Sequence, residues 1–150
     1  VLSTRCVYVF DRTLERVVVP YGLSKAPLEP RYATRMRRFP DVNIGIRATL
    51  GKHAFVADRG HFLGHAAGGE LDINLFPHQR ELNRGTTAAG RRFRAMERYV
   101  ASRADTFFYH RPLYDDETWI PRELEYGVLV DDRHWWVERF SNKPQPSAHT

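Results

Sequence analysis

A histidine, two asparagines and a glutamate follow one another in a short stretch of this chain. Asp58-Arg59-Gly60-His61 comes first, then Asn74-Leu75-Phe76-Pro77, then Leu82-Asn83-Arg84-Gly85, then Glu97. A neutral imidazole takes a proton from water near neutral pH. An asparagine oxygen is a hard, uncharged donor. It suits Mg²⁺, which keeps most of its waters and takes few protein ligands beside a phosphate. A metal-bound phosphate next to a histidine base is the minimal equipment for hydrolysing a phosphodiester. His61 and His65 also form an H-x-x-x-H pair, which on a helix would point to zinc. Gly60 and Gly64 argue against a helix there, so magnesium is the favoured reading.

These residues need elements to hold them. Residues 6–10 and 16–20 are β-rich runs with a turn-like stretch between them, and predict a hairpin. Residues 20–40 hold Pro20, Pro27, Pro30 and Pro40 and read as a long irregular loop. Residues 44–50 and 53–57 read as strands, the second leading into His61. Gly60, Gly64, Gly68 and Gly69 mark a loop after it. Phe93, Met96, Val100 and Ala104 share one helical face and predict a helix over 91–104. Glu97 lies on that helix, where Arg94 and Arg98 are near enough to pair with it. Strands are expected at 106–109, 124–130 and 134–140, with a turn at 131–133. Trp135 and Trp136 are both expected to pack. The pattern is a mixed α+β domain with antiparallel strands and one dominant helix, spanning 1–140, with a polar tail at 141–150.

Composition narrows the classes. The chain has 150 residues, 42% of them hydrophobic, which is too apolar for a disordered chain. No apolar run approaches the roughly 18–20 residues of a membrane helix, so no membrane partner is expected. The single cysteine, Cys6, excludes an internal disulfide and reads as a small core residue. Net charge is +5, and the basic residues are almost all arginine. They concentrate in 31–59 and 80–103, whereas 104–150 is acidic. Such polarity attracts polyanions. The first residues contain no apolar stretch of signal-peptide type and no initiator Met, which reads as a piece excised from a longer, delivered protein.

The four motifs, in this order, resemble the DNA/RNA non-specific endonuclease family of ββα-metal nucleases. The string from Asp58 to Gly85 looks most like the branch found as C-terminal toxin domains of bacterial polymorphic toxins. The resemblance covers residues 58–104 and implies a ββα-metal motif on the antiparallel sheet. It implies His61 as the base that activates water and Asn83 as the direct protein ligand of Mg²⁺, with Mn²⁺ as a substitute. Glu97 would hold the metal's waters. Asn74 would order the site by hydrogen bonding, and Arg59 would meet phosphate or brace the loop. Asp58 would fix local backbone or Arg59. Arg84 and the helix arginines Arg91, Arg92, Arg94 and Arg98 would form a phosphate-guiding rim, with Arg84, Arg91 and Arg92 favoured for nucleic-acid contact. Among upstream arginines, Arg47 is favoured for a phosphate contact.

Two features depart from the family pattern. The segment between Asn83 and Glu97 is long, so residues 86–90 must loop out for Glu97 to reach the metal. His78 follows the second motif where the family commonly has glutamine, and is expected to tune the site or its rim. The resemblance further implies DNA and/or RNA as substrate, action in a target cell's cytoplasm, and an acidic immunity protein as partner. An inactive nucleic-acid-binding module on the same fold is the alternative. The joint presence of His61 and Asn83 argues against it.

Overall fold

The computed structural model describes residues 6–25, 57–69 and 72–143. Strands β1 (Cys6–Asp11) and β2 (Arg16–Leu23) form the expected hairpin. Its turn is held by the Asp11 carboxylate, which accepts from the amides of Thr13 at 2.8 Å and Leu14 at 3.1 Å. β2 runs three residues past Pro20, into the stretch expected to be loop. Proline is tolerated because the next strand pairs only with Tyr21–Leu23, leaving Pro20 on an open edge. The strand expected at 44–50, residues 53–56 of the one expected at 53–57, and residues 26–40 of the expected loop lie outside the described residues, as does Arg47.

β3 (Ala57–His61) therefore contains the Asp58–His61 motif, with His61 as its last residue. It pairs antiparallel with β4 (Leu75–Gln79), in register from Ala57–Gln79 to His61–Leu75. β4 carries no alternation and contains Pro77, which hid it at the sequence level. Two-stranded sheets have only edges, so the missing amide costs no ladder bond there. Single 3-10 turns at His65–Ala67 and Asp72–Asn74 fill the connection.

Helix α1 (Arg80–Arg84) follows at once, and then α2 (Ala88–Ala101). Residues 86–90 do not loop out. Thr87 caps α2 by accepting from the Gly90 amide at 3.0 Å, so residues 88–90 are its first turn. The helix starts and stops three residues earlier than its apolar face predicts. Its end is set by tertiary bonds: the Thr106 amide donates to the Ser24 hydroxyl at 3.0 Å, and the Asp105 amide to the Ser24 carbonyl at 2.9 Å. Gly85, at φ 72°, reverses the chain between the helices. Gly90 lets them touch: a Cβ there would lie 2.6 Å from the Glu81 carbonyl oxygen and 2.9 Å from the Gly85 Cα. Gly90→Ala is therefore expected to destabilise by about 1–3 kcal/mol. In an open helix it would instead gain about 1 kcal/mol. A urea midpoint that rises in this variant would refute the close contact.

β5 (Phe107–Leu113), β6 (Glu123–Val130) and β7 (His134–Ser141) complete a five-stranded antiparallel sheet in the order β1-β2-β5-β6-β7. The β6–β7 turn falls where expected, with Asp131 and Asp132 at positive φ. Phe93 of α2 is the centre of the core. Its ring meets those of His78, His110, Tyr126 and Phe140 at centroid distances of 4.9, 5.8, 5.6 and 5.2 Å. Cys6 is buried in this core as expected.

Trp135 departs from expectation: it is 55% exposed, because strand alternation turns it to the face opposite α2 while Trp136 packs against the core. Packing extends into the segment expected to be a polar tail. Asn142 is fully buried, donating to the carbonyls of Pro77 and Pro121 at 2.9 Å each and accepting from the Gln79 amide at 2.8 Å. It clips β4 to the end of the large sheet.

Candidate active site

His61 leaves β3 at the edge of a cleft of about 650 Å³. The backbone after it is fixed by Asn74. The Leu63 amide donates to Asn74 Oδ1 at 2.8 Å, and Asn74 Nδ2 donates to the Leu63 carbonyl at 2.7 Å. The Phe62 amide donates to the Asn74 carbonyl at 3.0 Å. Asn74 is fully buried, so each bond stands in a medium where an unmade one is costly. Its bonds hold the backbone that follows His61.

α1 brings Asn83 to the same cleft. Asn83 Nδ2 donates to Asp58 Oδ2 at 3.2 Å, which commits the amide nitrogen and reserves the carbonyl oxygen as an acceptor. Asp58 was expected to serve Arg59 or the local backbone. It instead joins β3 to α1, accepting from Arg84 Nε at 2.7 Å, Arg84 Nη2 at 3.1 Å and Arg80 Nε at 3.1 Å. Three donors on one short helix outcompete Arg59 because α1 packs directly across β3. Burial pushes the Asp58 carboxyl up, but its bonds to Arg84, Asn83 and Arg80 outweigh this and hold it below the ordinary value. The fork to Asp58 also raises the Arg84 guanidinium further.

α2 supplies Glu97. Arg94 Nη1 donates to Glu97 Oε2 at 2.9 Å. A Cβ on Gly64 would sit 3.8 Å from Glu97 Oε1, which places the carboxylate beside the loop that follows His61. Tyr126 lies in the cleft wall, its hydroxyl pushed well above its ordinary value by burial and then by the Glu97 charge. The early start of α2 is what delivers Glu97: the long segment is wound into helix and aims the next turn at the cleft.

Arg59, His61, Asn83, Arg84 and Glu97 thus line one cleft, with Asn74 behind it. Arg91 and Arg92 lie outside its lining. Arg91 donates to the Thr86 carbonyl at 3.3 Å, and Arg92 forms an ion pair with Glu138 at 2.8 Å on the opposite flank of α2. The cleft flank is instead Arg94, Glu97, Arg98 and Ala101. Of the four helix arginines expected at the rim, Arg94 and Arg98 lie here, and spacing of i, i+3, i+4 and i+7 from Arg94 separates them from Arg91 and Arg92. His65 lines the cleft too, on its 3-10 turn. His78 does not line the cleft, though it lies close enough to Asn83, Asp58 and His61 to feel them. It is fully buried between Phe76 and Phe93, and burial pushes its pKa down to about 3.

Among the described residues no group of three or more His, Cys, Asp or Glu side chains converges as a metal cage. The donor set is a carboxamide oxygen, a carboxylate and an imidazole around open solvent space. Hard oxygen donors, few and only one charged, fit a largely hydrated Mg²⁺.

No protein-family model matches the chain, and no curated protein matches it. Among solved structures it is similar to NucA from Streptococcus agalactiae with no metal bound, at 13% identity and a TM-score of 0.66, covering 95% of this chain and 72% of that one. It is similarly close to NucA from the same organism with magnesium ion bound, at 13% identity and a TM-score of 0.64, covering 95% and 74%. The likeness is one of fold.

Proposed function

We propose that this chain is a Mg²⁺-dependent, sequence-nonspecific endonuclease hydrolysing phosphodiester bonds of DNA and/or RNA, with a ββα-metal site built from β3, β4 and α2. The observation that carries the reading is the convergence of His61, Asn83 and Glu97 on one arginine-lined cleft. The fold shared with the nuclease NucA, one form of which binds magnesium, supports it. The motif string supports a toxin domain of a secreted bacterial effector, acting in a target cytoplasm and restrained by an acidic immunity protein.

In this reading His61 takes a proton from water at its imidazole while the water oxygen attacks phosphorus. The bond from phosphorus to the 3′-oxygen breaks in line, leaving a 5′-phosphate. Asn74 keeps the imidazole aimed by holding Leu63. Asn83 and Glu97 would hold Mg²⁺, which when bound supplies charge stabilisation to the phosphate and leaving oxygen. Asp58 keeps Asn83 oriented. Nothing in the sequence resembles a base-reading module such as a helix-turn-helix or a zinc finger, and contacts to phosphate alone carry no sequence information.

The test is incubation of supercoiled plasmid and single-stranded RNA with the protein, in Mg²⁺ or EDTA, beside His61→Ala. Cleavage is expected in Mg²⁺ only, reduced by about 10²–10⁴-fold in the variant. Folded protein that binds plasmid and never cuts it would leave an inactive binding module.

A further inference from the structure

The cleft's arginines are not equivalent. Arg84 is forked onto Asp58, and Arg94 is paired with Glu97. Arg59 has further interactions of its own. Arg98 also lines the cleft and is exposed, yet among the described residues its guanidinium has no hydrogen bond, ion pair or ring contact. Its neighbour in sequence, Glu97, faces the same space. Helix α2 therefore offers a carboxylate and an uncommitted guanidinium side by side, and one turn beyond them only the methyl of Ala101.

We infer that Arg98 is the anion anchor of this cleft, binding a phosphate of the substrate strand next to the cation held by Glu97 and Asn83. A metal ion with a phosphate on it presents one positive and one negative pole. Glu97 and Arg98 match them in order. A guanidinium suits the task because its fork meets two phosphate oxygens at once. An arginine already bonded to a carboxylate has part of its fork and of its charge engaged. The small Ala101 leaves room for the strand to continue along the helix. This inference rests on the nuclease reading for the identity of the anion.

The experiment separates the two. Binding of a fluorescein-labelled single-stranded DNA 12-mer is measured in EDTA, where no cleavage occurs, across a salt series. Arg98→Ala is expected to weaken binding about tenfold and to reduce the slope of log K against log salt by about 0.7, the share of one phosphate contact on a single strand. Arg98→Lys should keep the slope and lose only part of the affinity. Arg12→Ala, which removes an equal charge from the β1–β2 turn, should leave both unchanged. With plasmid in Mg²⁺, Arg98→Ala should raise KM far more than it lowers kcat. Arg98→Ala and Arg12→Ala behaving alike in affinity and slope would overturn the assignment. So would a full loss of affinity in Arg98→Lys. Wild-type protein that binds with an Arg98-dependent slope but does not cleave would defeat the nuclease reading and leave Arg98 as the anchor.

Discussion

Acidification from pH 6.5 to 4.5 is expected to strip about 5 kcal/mol from the fold through two histidines alone. His78 and His110 are both fully buried in the core, and burial pushes each pKa down to about 3 from an ordinary 6.5. Neither ring has a hydrogen-bond partner at Nδ1, and His78 has none at Nε2. The Asp58 charge and the nearby Asn83 side chain work to raise His78, and the His61 charge to lower it further, but burial dominates. For His110 the charge on His78 adds to the burial effect.

The unfolded chain takes up both protons near pH 6.5, whereas the folded chain resists until about pH 3. Stability is therefore complete above the ordinary histidine range and falls with pH below it, at about 1.4 kcal/mol per pH unit per histidine. A domain of this size has roughly 5–15 kcal/mol in all. Circular dichroism should show cooperative acid unfolding near pH 4–5, above the range in which Asp58, Asp115 and Glu125, all held below their ordinary values, come into play. His78→Leu should halve the slope of stability against pH between 6.5 and 4.5. An unchanged slope in that variant would assign the acid sensitivity elsewhere.

Asn74→Ala is expected to cost about 2–5 kcal/mol and to lower cleavage by more than the lost stability explains. It deletes both side-chain bonds to Leu63 and strands a buried amide and carbonyl. Asn74→Asp keeps an acceptor for the Leu63 amide but sets a carboxylate oxygen against the Leu63 carbonyl, and should be nearly as damaging. Chemical denaturation gives the first quantity. Activity measured well below the unfolding midpoint gives the second. Full activity in a destabilised but folded Asn74→Ala would show that the His61 loop holds its shape without this residue.

Much of the site was legible because its chemistry is local in the chain. His61, Asn74, Asn83 and Glu97 announce themselves by type and order, and β3 to α2 place them with little help from distant residues. What escaped had physical causes. β4 is buried without alternating and carries a proline. α1 is a single turn, too short to show a period. The start of α2 depends on Thr87 as a cap, and its end on Ser24, far away in sequence. His78 looked like a site residue by position, but the pleat of β4 turns it into the core, where Gly60 leaves it room: a Cβ on Gly60 would meet the His78 Cβ at 2.4 Å. The division of labour among arginines was legible only at Glu97, where helical spacing offered Arg94 as a partner; elsewhere it depends on which carboxylate each one reaches through the fold.

The strand order has a kinetic consequence. β2 and β5 are neighbours, with Leu23 opposite Phe107, yet the segment that carries every cleft residue but Tyr126 lies between them in sequence. Closing so long a loop costs little more free energy than closing one half its length, because the entropy grows only with the logarithm of the length. The cost falls on time instead, since non-local pairing slows folding. Changes in the length of exposed connections within that segment, outside its packed strands and helices, should thus change how fast the sheet zips shut far more than how firmly it stays shut.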